Sequence, residues 1–108
     1  MNINKELAEN LGLEEGEFLE LLELFLDTAV SNLTDVEKAL EAGDNKKVVN
    51  ASHSLKGAAG NLGFKEIYKF SKSIEMNARQ NVLEGSKEAA NSIREKLKLI
   101  EEDLKKGK

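Results

Sequence analysis

Cysteine, proline and tryptophan are absent from this 108-residue chain, and histidine occurs once. Without cysteine the protein has no disulfide framework, no thiolate nucleophile and no zinc site built on thiolates. A single histidine cannot supply the histidine clusters of zinc enzymes, and the motifs HExxH, GxSxG and GxxxxGK[ST] do not occur. These absences argue against a metallohydrolase, a serine esterase and a P-loop nucleotide-binding protein.

Long apolar runs are also lacking. No run approaches the roughly 18 residues that cross a bilayer, and the N-terminus has no basic segment leading into an apolar stretch. We therefore expect a cytoplasmic protein without membrane insertion. A chain of this length is the size of one domain, so residues 1–108 are expected to form a single folded unit.

The apolar residues recur at steps of three and four in four segments, as in amphipathic helices, and the lack of proline favours helix throughout. Gly43 and Asp44 are predicted to end the first helix and cap the second, Gly63 to end the second, and Ser86 to cap the fourth. The predicted apolar stripes are Phe18, Leu22, Phe25, Ala29, Leu33, Val36 and Leu40, widened by Leu21 and Leu26; Val48, Ala51, Leu55, Ala59 and Leu62; Ile67, Phe70, Ser71, Ile74 and Ala78; and Ala90, Ile93, Leu97, Ile100 and Leu104.

Four such helices joined by short turns predict an all-α fold, an antiparallel up-down-up-down four-helix bundle. A short additional N-terminal helix is predicted over residues 4–10. Ile3, Leu7 and Leu11 would cover one end of the bundle, and Gly12 would stop this helix.

Charge is divided unevenly along the chain. Residues 1–45 carry 2 basic and 12 acidic side chains (−10), residues 46–79 carry 7 and 2 (+5), and residues 80–108 carry 7 and 6 (+1), which together give −4. The basic middle segment is either an ordinary solvated face or a surface for an acidic partner. Nucleic acid is not expected as a partner, because the acidic first segment would repel a phosphate backbone.

His53 lies off the apolar stripe of the second helix and is predicted to face solvent. Its row also contains Gly57 and Gly60, each of which costs roughly 1 kcal/mol relative to alanine inside a helix. We interpret this glycine strip as access for another molecule to the imidazole, and Lys56 as a cation that can reach an anion bound at the ring. The alternatives are a solvated histidine without a role and glycines that serve close packing.

The segment from His53 to Gly63, HSLKGAAGNLG, closely resembles the phosphohistidine motif of histidine-containing phosphotransfer (HPt) domains. That motif has Lys at the third position after His, Gly at the fourth and Gly at the tenth. The similarity extends over about residues 17–105 in helix lengths, and Ser71 stands where the family usually has a small residue or a cysteine.

The resemblance implies that His53 accepts a phosphoryl group from a phosphoaspartate on a response-regulator receiver domain and passes it to another receiver. It implies a phosphotransfer intermediate without kinase or ATP-binding activity, which has no cofactor of its own and uses Mg²⁺ supplied by the receiver. The expected partners are receiver domains, among them that of a hybrid sensor histidine kinase, and the expected state is a monomer. The docking surface is expected to surround His53 and to include the short N-terminal helix and the first long helix. Binding is expected to weaken at high salt, because the basic segment 46–79 would face the carboxylates of a receiver.

Glu75 is predicted to face His53. If the second and third helices turn about residue 64, antiparallel pairing sets position 53 opposite position 75. The Glu75 carboxylate would then accept a hydrogen bond from His53 Nδ1–H and leave Nε2 as the nucleophile. The alternative is that Glu75 pairs only with Lys72 or Arg79 on its own helix.

Two other functional classes compete with the phosphocarrier. A helical docking module that carries no phosphate would not require His53. A small general-base enzyme using His53 would need a second catalytic group and a pocket, and neither is evident in the sequence.

Overall fold

The computed structural model describes residues 9 and 11–106 of the chain. Four long helices occupy most of this length: α1 (Glu15–Ala42), α2 (Asn45–Leu62), α3 (Lys65–Arg79) and α4 (Ser86–Lys106). No strand occurs among the described residues. The predicted all-α fold with four helices is confirmed.

The turns around α2 use the residues that the sequence indicates. Gly43 ends α1 in the left-handed conformation, with φ at +67°, and Gly63 ends α2 with φ at +77°. Both conformations favour glycine because a side chain would be strained there. The Asp44 side chain accepts a hydrogen bond from the Lys47 amide at 3.1 Å, as an N-cap does.

The core is a single apolar cluster between the four helices, and it contains most residues of the predicted stripes. Helix α2 packs between α1 and α3, and α4 packs between α3 and α1. These are the neighbours that an up-down-up-down bundle requires. The alternating direction of the helices stays a prediction, as does the short N-terminal helix, because Ile3, Leu7 and most of residues 4–10 lie outside the described residues.

Some core assignments were wrong by one position. Ala39 is buried and Leu40 only half-buried on α1, and Ser52 is fully buried where Ala51 was predicted on α2. Ser52 fits the core because its hydroxyl donates to the Val48 carbonyl oxygen at 2.6 Å. The apolar stripes are slightly rotated relative to the faces that contact the other helices. A residue at the edge of a stripe can therefore be half-buried while its neighbour in the sequence is buried.

Three further predictions need correction. Leu21 is 37% exposed, so it does not widen the core stripe of α1, and Phe70 is half-buried. Ser86 is the first residue of α4 and is buried, and its hydroxyl has no hydrogen-bond partner among the described residues. It is therefore not the predicted side-chain N-cap.

Candidate functional site

His53 lies in the middle of α2 with its side chain 62% exposed. Its position follows from the helical wheel, because Ser52 and Leu55 on either side of it are fully buried and fix the orientation of the helix. The predicted solvent-facing histidine is present in the structure. An imidazole in this position is open to another molecule.

Glu75 approaches His53 from α3, across the turn at Gly63. Glu75 Oε2 lies 2.9 Å from His53 Nδ1, which is the contact predicted from the hairpin geometry. The Glu75 side chain is only 4% exposed, so a carboxylate is held at the edge of the core beneath an exposed imidazole. The turn between α2 and α3 is short, and this sets the two helices in the register that brings residues 53 and 75 together.

The Glu75 carboxylate is ionised despite its burial. Burial alone would raise its pKa, but the contacts from Lys56, Arg79 and His53 outweigh that penalty and lower the pKa to about 2. A carboxylate can only accept hydrogen bonds, so the proton in the His53–Glu75 contact belongs to Nδ1. The neutral imidazole therefore exposes an unprotonated Nε2.

Lys56 lies one turn after His53 on α2 and is 22% exposed. Its ammonium group forms an ion pair with Glu75 Oε1 at 2.8 Å. The sequence placed this cation near the imidazole but did not reveal that the carboxylate also engages it.

Arg79 completes the cluster from the next turn of α3. Its Nη2 and Nε groups donate to Glu75 Oε2 at 2.7 and 3.2 Å, and Oε2 is also the atom that faces His53. Pairing of Glu75 with Arg79 is therefore not an alternative to pairing with His53, because both contacts occur together. The spacing of four residues between Glu75 and Arg79 was the signal that could have found this residue.

The two glycines beside His53 differ in their surroundings. A Cβ atom added at Gly57 would meet nothing within 4 Å, so this glycine leaves an open surface next to the imidazole. A Cβ atom at Gly60 would lie 3.3 Å from Tyr68 Cδ2, so close packing of α3 also uses this position. The interpretation as a bare strip therefore applies to Gly57 and only in part to Gly60.

A family model described as Hpt domain matches residues 20–105. The chain belongs to the Hpt domain family. The crystal structure of histidine-containing phosphotransfer protein B (HptB) from Pseudomonas aeruginosa PAO1 is similar, with a TM-score of 0.83 and 24% identity over 96% of this chain and 90% of that one. That likeness shows the fold, and no curated protein matches the chain.

As a member of this family, the protein is a phosphotransfer carrier of two-component signalling. Hpt domains are phosphocarriers rather than kinases, and the family's proteins interact with receiver domains. None of the described helices is long and apolar enough to cross a membrane.

The Hpt domain has an apolar groove between α1 and α2, which begins five residues after His53 along α2. It has a volume of about 350 Å³. Leu24 is 62% exposed there, and Leu21 and Leu11 are also exposed. The groove is lined by Leu11, Leu13, Leu21, Leu24, Phe25, Thr28, Ala58, Asn61 and Leu62.

Proposed function

We propose that His53 accepts a phosphoryl group from the phosphoaspartate of a receiver domain and later passes it to the aspartate of another receiver. The observation that carries the proposal is an exposed imidazole whose Nδ1 rests on a buried, ionised carboxylate. This arrangement orients Nε2 outward with a free electron pair, which is the requirement for a nucleophile.

The transfer balances as a simple displacement. The Nε2 electron pair forms a bond to phosphorus, while the bond from phosphorus to the aspartyl oxygen breaks and its electron pair leaves on the aspartate. Nδ1 keeps its proton, so the imidazole ring gains positive charge as the new bond forms. The Glu75 carboxylate, 2.9 Å from Nδ1, stabilises that charge. Transfer to the next receiver is the same displacement in reverse.

Lys56 has a supporting role in this proposal. Its ammonium lies on the same helix face, one turn from His53, and ion-pairs with Glu75 in the unphosphorylated protein. A lysine side chain is flexible, so the ammonium can turn from Glu75 toward phosphoryl oxygens as a point charge. Phosphoryl transfer depends mainly on positioning and charge stabilisation, so little further chemistry is needed from this chain.

The partner supplies the remaining groups. A receiver brings the aspartate and Mg²⁺, and it docks over Gly57 and the apolar groove between α1 and α2. The basic segment of residues 46–79, with a charge of +5, complements a partner site rich in carboxylates. In this proposal the protein is a cytoplasmic monomer whose four helices run up-down-up-down, as the sequence favours.

The test is phosphotransfer from a purified, phosphorylated receiver domain to the full chain. We expect a phosphoryl group that is labile in acid and stable in alkali, as a phosphoramidate linkage is, and that is absent from His53→Gln. Uptake by His53→Gln equal to that of the wild type would refute the assignment. Binding of the receiver without any uptake by the wild type would instead favour the docking module.

A further inference from the structure

Two permanent cations converge on the single negative charge of Glu75. The Lys56 ammonium meets Oε1 at 2.8 Å, and the Arg79 guanidinium donates to Oε2 at 2.7 and 3.2 Å. With a neutral imidazole, the formal charge of these four side chains is +1. Orienting His53 requires only the acceptor oxygen of Glu75. The two cations keep that buried carboxylate ionised, and they also change the net charge beside the imidazole.

This second effect of the cations concerns the protonation state of His53. A buried carboxylate beside an imidazole favours the doubly protonated imidazolium ion. That ion has a proton on Nε2 and therefore no electron pair with which to attack phosphorus. Glu75 is ionised at any working pH because its pKa is about 2, so only neighbouring positive charge can offset its effect on the ring.

Arg79 suits this task better than Lys56 does. Arg79 donates two N–H groups to Oε2, the same oxygen that accepts from His53 Nδ1. Arginine also remains charged at all relevant pH values. Lys56 is assigned to the phosphoryl oxygens in the proposed transfer, so it cannot neutralise Glu75 throughout the reaction.

We propose that Arg79 is a positioning residue that keeps His53 in its neutral, nucleophilic form by neutralising the Glu75 carboxylate. The proposal deepens the proposed function and depends on it for its biological meaning. Arg79 acts through Glu75 and is not itself assigned a contact with the phosphoryl group.

The other charged side chains near the hairpin do not form ion pairs with Glu75. Among the described residues, the ion pairs of Glu75 come only from α2 and α3. On α4, Lys96 pairs with Glu66, and Lys87 lines a groove with Glu37 and Glu41. On α1, Asp35 and Lys38 line a groove with Lys47 of α2. Lys72 is exposed on α3, one turn before Glu75.

The experiment measures the pH profile of His53 phosphorylation by phosphoramidate, a small donor that needs no docking surface. The proteins are the full-length wild type, Arg79→Gln, Arg79→Lys and the control Lys72→Gln. In Arg79→Gln we expect the acid limb of the profile to move to higher pH by about 0.5 to 1 unit. This shift corresponds to a three- to tenfold higher affinity of the His53 imidazole for its second proton. The rate above the acid limb should not fall below that of the wild type, because Glu75 is then less neutralised and can better stabilise the positive charge that develops on the ring. Arg79→Lys should restore most of the shift, and Lys72→Gln should match the wild type.

A second readout separates this inference from the function it rests on. The imidazole protonation of His53 is followed by NMR in the same proteins without any phosphoryl donor, and it should shift as the acid limb does. A midpoint in Arg79→Gln within 0.2 pH units of the wild type, or a lowered plateau with an unmoved acid limb, would overturn the inference and indicate a structural role. A wild type that takes up no phosphoryl group would overturn the proposed function instead, while the NMR titration still tests Arg79.

Discussion

Replacing Glu75 with glutamine should make the protein less sensitive to acid. The substitution keeps the size of a side chain that is only 4% exposed but removes the charge that holds Lys56 and Arg79. Lowering the pKa from 4.5 to about 2 corresponds to about 3 kcal/mol in favour of the folded state at neutral pH. Arg79 and His53 are more than half exposed, and solvent screening reduces the net contribution to about 2 kcal/mol.

The direction of the pKa change decides whether acid weakens or strengthens the fold through Glu75. The folded-state pKa is below the unfolded value, so the contribution is complete above about pH 5 and is lost as the pH falls toward 2. Between pH 7 and pH 3 the wild type should therefore lose about 1 to 2 kcal/mol more than Glu75→Gln does. The substitution should therefore destabilise the protein by about 2 kcal/mol at pH 7 and by about 1 kcal/mol or less at pH 3.

Guanidinium chloride unfolding followed by circular dichroism at both pH values measures this difference, with m-values compared to confirm that the same transition is observed. The matched control is Glu66→Gln, which removes a carboxylate on the same helix whose pKa is also lowered by its lysine partner, but at an exposed position. It should show a much smaller pH-dependent difference. Equal losses of stability on acidification in the wild type and Glu75→Gln would refute the reasoning.

Three further substitutions separate the stability of the helices from the access of partners to them. Gly57→Ala should raise the free energy of unfolding by about 0.5 to 1 kcal/mol, because the added methyl group meets no atom within 4 Å, whereas Gly60→Ala should gain less because Tyr68 is in the way. A Gly57→Ala variant that unfolds more easily than the wild type would contradict this expectation of stability. The same variant should accept a phosphoryl group from a receiver more slowly, while its phosphorylation by phosphoramidate stays unchanged. Leu24→Ser, at a position 62% exposed, should change stability by less than about 0.5 kcal/mol and slow transfer from a receiver several-fold; an unchanged rate would exclude the groove from docking.

The helical hairpin shows how far the sequence could predict this site. Glycines at positions 43 and 63 set the ends of α1 and α2, and the short turn after Gly63 fixed the register of α2 against α3. Once the turn was located, simple symmetry about residue 64 was enough to bring His53 and Glu75 together. The 2.9 Å contact between His53 and Glu75 agrees with that calculation. The calculation works because two regular helices joined by a short turn have little freedom in how their residues pair.

The remaining contacts depend on choices that periodicity does not encode. Arginine and lysine side chains have many rotamers, so the sequence could not show that Arg79 and Lys56 both turn to the same carboxylate. The contact of Tyr68 with Gly60 depends on the rotation of α3 about its own axis. The same rotation, in α2, decides whether Ala51 or Ser52 faces the core.

The location of His53, Glu75 and Arg79 in one helical hairpin, residues 45–79, has a consequence for folding. These side chains are close along the chain, so bringing them together closes only a short loop and costs little chain entropy. The contacts between α1 and α4 join distant parts of the sequence and close a much longer loop. The reactive histidine and its carboxylate therefore belong to a segment that can assemble early, before the bundle is closed by its outer pair of helices.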